Sequence, residues 1–291
     1  MKRSLHHSLW ILLFVIAGSS QLHAQKKFEL DDLAKLTNIS DPQIAPDGKS
    51  VVIVASRPEY QKNRYNAELV LIDIASAKQR VLTFDRSSVS QPRWSPSGDQ
   101  LTFISRAGQG REATNQIFVL NMEGGEARQL TKAPNGVQHY AWSPDGTSIA
   151  FVTADELTTK SEIERGNDAF EVGNNDMFLS TAPPPAHIWL IASQGGDARR
   201  LTSGTWSLPV TIPPGAPSSP LTWSPDSKTI AFVKVLSPYS GDSGTRSIQL
   251  LTVADQSIKP LSTRTKLESY PTFSPDGSRI CYWLKKDFIP G

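Results

Sequence analysis

The sequence predicts an all-β fold, a β-propeller of four-stranded antiparallel blades with four complete modules and an incomplete fifth, and hence an incomplete ring. Three observations lead there. A Pro-centred turn followed by an apolar strand occurs five times: "IAPDGKSVVIV" from Ile44, "WSPSGDQLTFI" from Trp94, "WSPDGTSIAFV" from Trp142, "WSPDSKTIAFV" from Trp223 and "FSPDGSRICYW" from Phe273. In four modules a second element of constant length follows. The strand after each turn is apolar on both faces, and such a strand needs cover on both sides.

The turn comes first. In S-P-D-G the Pro supplies the φ of the second position of a type I turn and Asp suits the third. Gly then takes the left-handed conformation that closes a three-residue hairpin. The turn prolines Pro46, Pro96, Pro144, Pro225 and Pro275 recur at a near-constant interval, except that the step from Pro144 to Pro225 is much longer. Ser227 replaces the Gly in the fourth copy, a departure that costs ~1 kcal/mol.

The strand comes next. VVIV, LTFI, IAFV, IAFV and ICYW are nearly unbroken apolar runs, while hairpins this tight make the sheet antiparallel. Small antiparallel sheets packed face to face around an axis satisfy both conditions. A β-solenoid has shorter repeats without paired hairpins. The last element reads "ELVLIDIASAKQRVLT", "QIFVLNMEGGEARQLT", "HIWLIASQGGDARRLT" and "SIQLLTVADQSIKPLS". From its first aliphatic (Leu69, Ile117, Ile188, Ile248) to its closing Leu (Leu82, Leu130, Leu201, Leu261) the spacing is identical in all four copies. That constancy predicts strand, turn and strand in fixed register. The modules fall near 44–83, 94–131, 142–202, 223–262 and 273–291.

Module three accounts for the long interval. The stretches Pro46 to Leu69, Pro96 to Ile117 and Pro225 to Ile248 are nearly equal, but Pro144 to Ile188 is about twice as long. Closing Leu to the next turn Pro is constant in three cases and longer from Leu201 to Pro225. Two insertions are therefore placed within 155–185 and within 203–219, in loops, where repeat folds carry function or merely tolerate length. Module five reaches Gly291 before its third strand, so the expectation is either a fragment of a longer chain or a ring completed by other material that covers the apolar flank.

The segment 1–24 reads as a signal peptide: Lys2 and Arg3, an apolar run from Leu9 to Ala17, and a small residue at Ala24. No Cys follows the run to take a lipid anchor. The expectation is an exported chain, periplasmic or secreted, with residues 25–291 forming the propeller portion and no membrane anchor after cleavage. Removing Lys2 and Arg3 from the 30 basic residues leaves 28, against 28 acids. A mature chain of about zero net charge does not advertise a nucleic-acid surface. Of five His only His139 and His187 remain, too few for a typical His-built metal site. The same scarcity argues against a metal-dependent lyase on a propeller. The single Cys281 cannot form an internal disulfide.

With these residues in view, "LAKLTNISDPQIAPDGKSVVIVAS", "YQKNRYNAELVLIDI" and "HIWLIASQGGDARRLT" followed by "WSPDSKTIAFV" resemble the propeller of prolyl oligopeptidase family serine peptidases. The resemblance is to the branch of acylaminoacyl-peptidases and bacterial dipeptidyl peptidases and runs from Phe28 to Leu284. The SPDG blade motif is shared with the periplasmic protein TolB, so the alternative is a TolB-like protein-binding scaffold. The peptidase resemblance implies a propeller that restricts peptide substrates on their way to a C-terminal α/β-hydrolase domain carrying a Ser, Asp and His triad. No G-x-S-x-G elbow occurs in the 291 residues. The isolated chain is therefore expected to be inactive, and no catalytic, cofactor-binding or metal residue is assigned.

Several residues invite a role and are weighed against a packing explanation. "GDSG" from Gly241 echoes a trypsin-like nucleophile segment at Ser243, but it falls in a polar loop between strands of module four and no suitable His flanks it. His139 and His187 read as strand-edge packing. Cys281 stands where the other copies have Val52, Thr102, Ala150 and Ala231, a slot for a small side chain in a packed strand. Trp94, Trp142, Trp223 and Phe273 recur at one blade position and read as core. Trp206 lies outside the repeat and either lines a substrate path or anchors its loop. Glu156, Glu162, Glu164 and Glu171 belong to the long insertion. They include no adjacent pair of the sort that dipeptidyl peptidase IV relatives use to hold a free amine.

Overall fold

The computed structural model describes residues 27–33, 35–86, 88–156, 169, 183–209, 220–263 and 267–284. The expected signal peptide, Glu162, Glu164 and Glu171 lie outside the described residues. The described residues up to Leu36 belong to one unit, which contains the helical turn α1 (Leu30–Leu33). Residues 37–291 form the other, and the blades belong to it.

Blade 1 is β1 (Asn38–Ile44), β2 (Ser50–Glu59), β3 (Arg64–Asp73) and β4 (Gln79–Val81). Blade 2 is β5 (Ser90–Trp94), β6 (Gln100–Ala107), β7 (Thr114–Asn121) and β8 (Arg128–Gln129). Blade 3 is β9 (Val137–Trp142), β10 (Ser148–Ala154), β11 (Ala186–Ala192) and β12 (Arg199–Arg200). Blade 4 is β13 (Thr222–Trp223), β14 (Thr229–Lys234), β15 (Ser247–Thr252) and β16 (Ile258–Pro260). A last hairpin pairs β17 (Glu268–Phe273) with β18 (Ile280–Leu284). Within every sheet the strands follow chain order and run antiparallel, and the sheets do not close into a ring.

The turn chemistry accounts for each hairpin. The backbone N–H of the fourth turn residue donates to the carbonyl of the first, as from Gly98 to Ser95 and from Gly277 to Ser274. That fourth residue has φ between 59° and 78° in all five copies, Ser227 included at 59°. The turn Asp is tied from both sides: Asp145 accepts from Ser143 Oγ at 2.6 Å and from the Thr147 N–H at 3.0 Å. These bonds hold the Asp145, Asp226 and Asp276 carboxyls below the usual range, Asp276 at about 2. Ser227 gains a bond its glycine counterparts cannot make, since its Oγ accepts from the Asp145 N–H of the neighbouring turn at 3.0 Å. The strained residue is thereby partly compensated.

The constant-length element is equally fixed. The closing Leu N–H donates to the first aliphatic's carbonyl in all four blades, at 2.7–2.9 Å. The next residue then clasps the same strand, with Thr83, Thr131 and Thr202 Oγ1 accepting from the N–H of Leu69, Ile117 and Ile188 at 2.9 Å. Blade 4 has Ser262 instead, and Glu268 takes over. The Glu268 carboxylate, fully buried, accepts from the Ile248 N–H at 2.8 Å and from Ser262 Oγ at 2.5 Å.

Period-two alternation divides the core among the blade interfaces. Val52, Val54, Leu69, Leu101 and Phe103 meet between blades 1 and 2. Ile104, Ile117, Ile149 and Phe151 meet between blades 2 and 3. Ala150, Val152, Ile188, Ile230 and Phe232 meet between blades 3 and 4. Alternate residues of one strand thus serve opposite neighbours, which is why the runs are apolar throughout. The recurring tryptophans do more than fill space, because each indole N–H reaches the preceding blade. Trp94 donates to Gln43 O at 3.1 Å, Trp142 to Thr102 Oγ1 at 2.8 Å and Trp223 to Ala141 O at 3.2 Å.

One expectation is corrected. Val52, Thr102, Ala150 and Ala231 are fully buried, but Cys281 at the same slot is exposed. The slot faces the following blade, and no described residue covers that face of β18.

Candidate functional site

The first strands of blades 1 to 3, with Pro220 and Leu221, line a cavity of about 660 Å³, and their sequence explains its shape. β1, β5 and β17 each carry a bulge, with shifts between Ser40 and Gln43, Ser90 and Arg93, and Ser269 and Thr272. In each the bulged residue is left-handed, Asp41 at φ 47°, Gln91 at 51° and Tyr270 at 54°, and a proline follows. A bulge of this kind turns backbone and side chain out of the ladder and bends the strand.

The redirected groups stitch neighbouring blades together around the cavity. Arg93 Nη1 donates to Asp41 Oδ1 and Oδ2, both at 2.9 Å. Gln91 Nε2 donates to Gln138 O at 2.8 Å, and Tyr140 Oη donates back to Gln91 O at 2.6 Å. Thr222 Oγ1 donates to Pro271 O at 2.7 Å. Burial pushes the Tyr140 phenol above its ordinary range and the His139 imidazole down to about 4. Near neutral pH the cavity wall therefore offers amides, carbonyls, one ion pair and neutral rings. Such a wall can bind and orient a chain by hydrogen bonding. Among the described residues no group of three or more His, Cys, Asp and Glu could hold a metal ion.

Reasoning from sequence misses the cavity residues Gln91, Arg93, Gln138 and Tyr140 and the partner of Arg93, Asp41. A signal for the bulges is nevertheless there, since Pro42, Pro92 and Pro271 each stand two residues before the recurring apolar position at Ile44, Trp94 and Phe273.

The residues that invite a role in the sequence sit elsewhere. Strand direction alternates through each blade, so both insertions leave from the end opposite the S-P-D-G turns. Their roots are joined by a partly buried cluster. His187 is fully buried, with Nδ1 3.1 Å from Asp155 Oδ2, and Arg200 Nη2 donates to the same oxygen at 2.6 Å. Burial lowers the His187 pKa against the pull of Asp155, which keeps the ring neutral. Trp206 meets this ring edge-on at 5.0 Å, stacks on Phe232 at 5.7 Å and lies under Lys234 Nζ at 5.2 Å. Of its two readings, the anchor is the one these contacts support. In blade 2 the slot of His187 holds Gln116, whose buried amide bonds Thr131 and Ala133. The position calls for a polar residue that satisfies the passing chain.

Ser240–Thr245, containing Ser243, is a short 3-10 helix before β15, and Asp242 there accepts from Ser237 Oγ at 2.5 Å. Both described histidines are buried in blade 3, so no base is presented to that segment. Glu156 is exposed at the root of the first insertion.

With this geometry in hand, comparison with known proteins places the fold. The family model described as the TolB beta propeller domain matches residues 24–203. The chain belongs to that family. Among curated relatives, a Bacillus subtilis (strain 168) protein named "Uncharacterized peptidase YuxL" is 32% identical over 105 residues, 36% of this chain and 16% of its own. Dipeptidyl-peptidase 5 of Porphyromonas gingivalis is 27% identical over 73 residues, 25% of this chain and 11% of its own. The alignments thus span less than a fifth of either relative. Acylaminoacyl peptidase of Pyrococcus horikoshii aligns with a TM-score of 0.61 at 17% identity, covering 89% of this TolB-family chain and 37% of that one. TolB of Acinetobacter baumannii aligns with a TM-score of 0.52 at 18% identity, covering 86% and 50%. At such identities these structures share the fold with this chain. Among the described residues no helix is long and apolar enough to cross a membrane.

Proposed function

We propose that this chain is the non-catalytic propeller portion of an exported prolyl oligopeptidase-like serine peptidase, gating peptide access to a hydrolase domain. The observation that carries this reading is the pattern of coverage. The chain aligns along 89% of itself with only 37% of the Pyrococcus horikoshii acylaminoacyl peptidase, and a curated relative named as a peptidase is matched over 16% of its length. The cavity along the first strands supports it, because its wall sets glutamine side chains, Gln43, Gln91 and Gln138, among apolar ones such as Ile44, Trp94 and Leu221, a mixture suited to a short peptide. On this reading the propeller excludes large substrates by the width of its passage.

A fluorophosphonate probe tests it in two arms. Purified residues 25–291 should take no label. Antibody against the propeller should precipitate a fluorophosphonate-reactive polypeptide from the source cells. Label on the purified chain contradicts the non-catalytic role, and absence of any reactive serine from the precipitate contradicts the peptidase context. The second outcome favours a TolB-like binding scaffold, the reading that the likeness to Acinetobacter baumannii TolB supports.

A further inference from the structure

Three outer crevices between packed blades follow one plan, and one of them is left open. In each, the second strand of the later blade presents a phenylalanine toward the earlier one, and in blades 2 and 3 the third strand adds a second aromatic face where blade 4 has Gln249. Between blades 1 and 2 these are Phe103 and Phe118, stacked at 5.8 Å. Arg86, from the segment linking the two blades, covers them with its guanidinium 4.3 Å from the Phe118 ring centre and 5.2 Å from Phe103. Between blades 3 and 4 the linking segment supplies Trp206, stacked on Phe232 with an interplanar angle of 26°. Both covers are planar π groups laid on an aromatic floor.

Between blades 2 and 3 the floor is present and, among the described residues, the linking segment lays no planar group over it. Phe151 and Trp189 occupy the repeat positions of Phe103 and Phe118. The position of Arg86, four residues past the closing Leu, is Pro134, whose short ring carries no planar group to lay over them. A cavity of about 540 Å³ results, floored by Leu130, Phe151, Trp189 and Ile191, a size within the ordinary range of small-molecule sites. The Trp189 indole N–H is buried and meets no acceptor among the described residues. Arg128 and Lys132 line the rim with Asp197 the one acid, so cations outnumber anions. Arg200, over the Trp189 ring at 5.8 Å, is already committed to Asp155.

We propose that this crevice binds a small aromatic monocarboxylate. The ring lies on Phe151 and Trp189, as the Arg86 and Trp206 planes lie on their own floors, and the carboxylate is held by Arg128 and Lys132. The aromatic stack follows from the two filled crevices; the preference for an anion over a second guanidinium follows from the rim charge. Binding here is independent of the peptidase reading.

Calorimetric titration of the whole chain at low salt, with N-acetyl-L-phenylalanine and with its N-methylamide, is the test. The acid should saturate the protein about tenfold more tightly than the amide, the ratio that one charge-assisted contact is worth. Replacing the exposed rim cations together, Arg128→Gln with Lys132→Gln, should bring acid and amide to the same weak affinity. Pro134→Arg should rebuild the neighbouring cover and abolish binding of both, whereas Pro134→Ala should leave the acid's affinity unchanged in a protein of parental circular dichroism. Acid and amide that titrate alike, a protein that saturates with neither, or binding indifferent to Pro134→Arg would each overturn the proposal.

Discussion

Val152 and Trp283 stand at the same step of their blades, eight residues after the turn proline, yet Val152 is fully buried and Trp283 is 74% exposed. The comparison extends across both strands. In blade 3, Ile149 and Phe151 pack on blade 2 while Ala150 and Val152 pack on blade 4. In the last hairpin, Cys281 and Trp283 face away from blade 4 and meet solvent. At the other flank, Ile39 and Ile44 of β1 are 62% and 67% exposed. A strand's apolar pattern states that a face requires cover, and only the neighbouring blade provides it. Burial here is a property of blade pairs.

The largest expected difference follows directly. Phe232→Ala removes a fully buried ring from the interface of blades 3 and 4 and should cost about 3–5 kcal/mol. Trp283→Ala should change stability by less than ~0.5 kcal/mol, although Trp is the larger side chain. Urea unfolding followed by circular dichroism measures both, and equal losses would mean that the last hairpin is covered in solution.

Next in size is the clasp on the third strand. Thr202→Val keeps the shape but strands the buried Ile188 N–H, at about 1–3 kcal/mol. Ser262→Ala should cost less, because Glu268 still holds the corresponding Ile248 N–H. The same denaturant curves decide the order of the two.

These clasps mark what the sequence could and could not disclose. The S-P-D-G turns, the constant-length element and the two-sided strands recur copy after copy, so each copy obeys the local rules of the others. Strand order, turn conformation and the antiparallel four-stranded sheets were legible for that reason. Glu268 was not, since it serves a strand 20 residues earlier and stands in for the threonine of the other three blades. The cavity wall was hidden for a similar reason. Arg93 finds Asp41 across 52 residues, and a bulge, rather than simple strand alternation, sets where both groups point. Cys281 is exposed where its slot predicts burial, because the repeat assigns a slot without stating whether a neighbour exists.

The pH response distinguishes interior from surface. His139 is held neutral by burial, with a folded-state pKa of about 4 against an ordinary value of 6.5. A histidine depressed in the folded state gives stability that is complete above 6.5 and declines as pH falls toward 4, because the unfolded chain takes up the proton first. The lowered pKa of His187 acts in the same direction. The exposed turn aspartates act lower still: Asp276, depressed from 3.8 to about 2, loses its contribution only as pH falls through that interval. Unfolding midpoints measured from pH 7 to 4.5 should therefore fall, and His139→Gln should flatten the decline while Asp276→Asn should not.

The smallest effect concerns the one strained turn. Ser227→Gly relieves a left-handed serine but gives up its bond to the Asp145 N–H, so the two changes should cancel to within ~0.5 kcal/mol. Ser227→Ala keeps the strain and loses the bond, and should be the less stable of the pair.

Thiol accessibility bears most directly on the claim that blades shelter one another. Ala150, Ala231 and Cys281 share one slot of the repeat. Native Cys281 should react with a chromogenic disulfide reagent as fast as a free thiol. A cysteine placed at 150 or 231 in a Cys281→Ala background should react only at the rate of unfolding. Comparable rates at all three positions would contradict face-to-face packing of the blades.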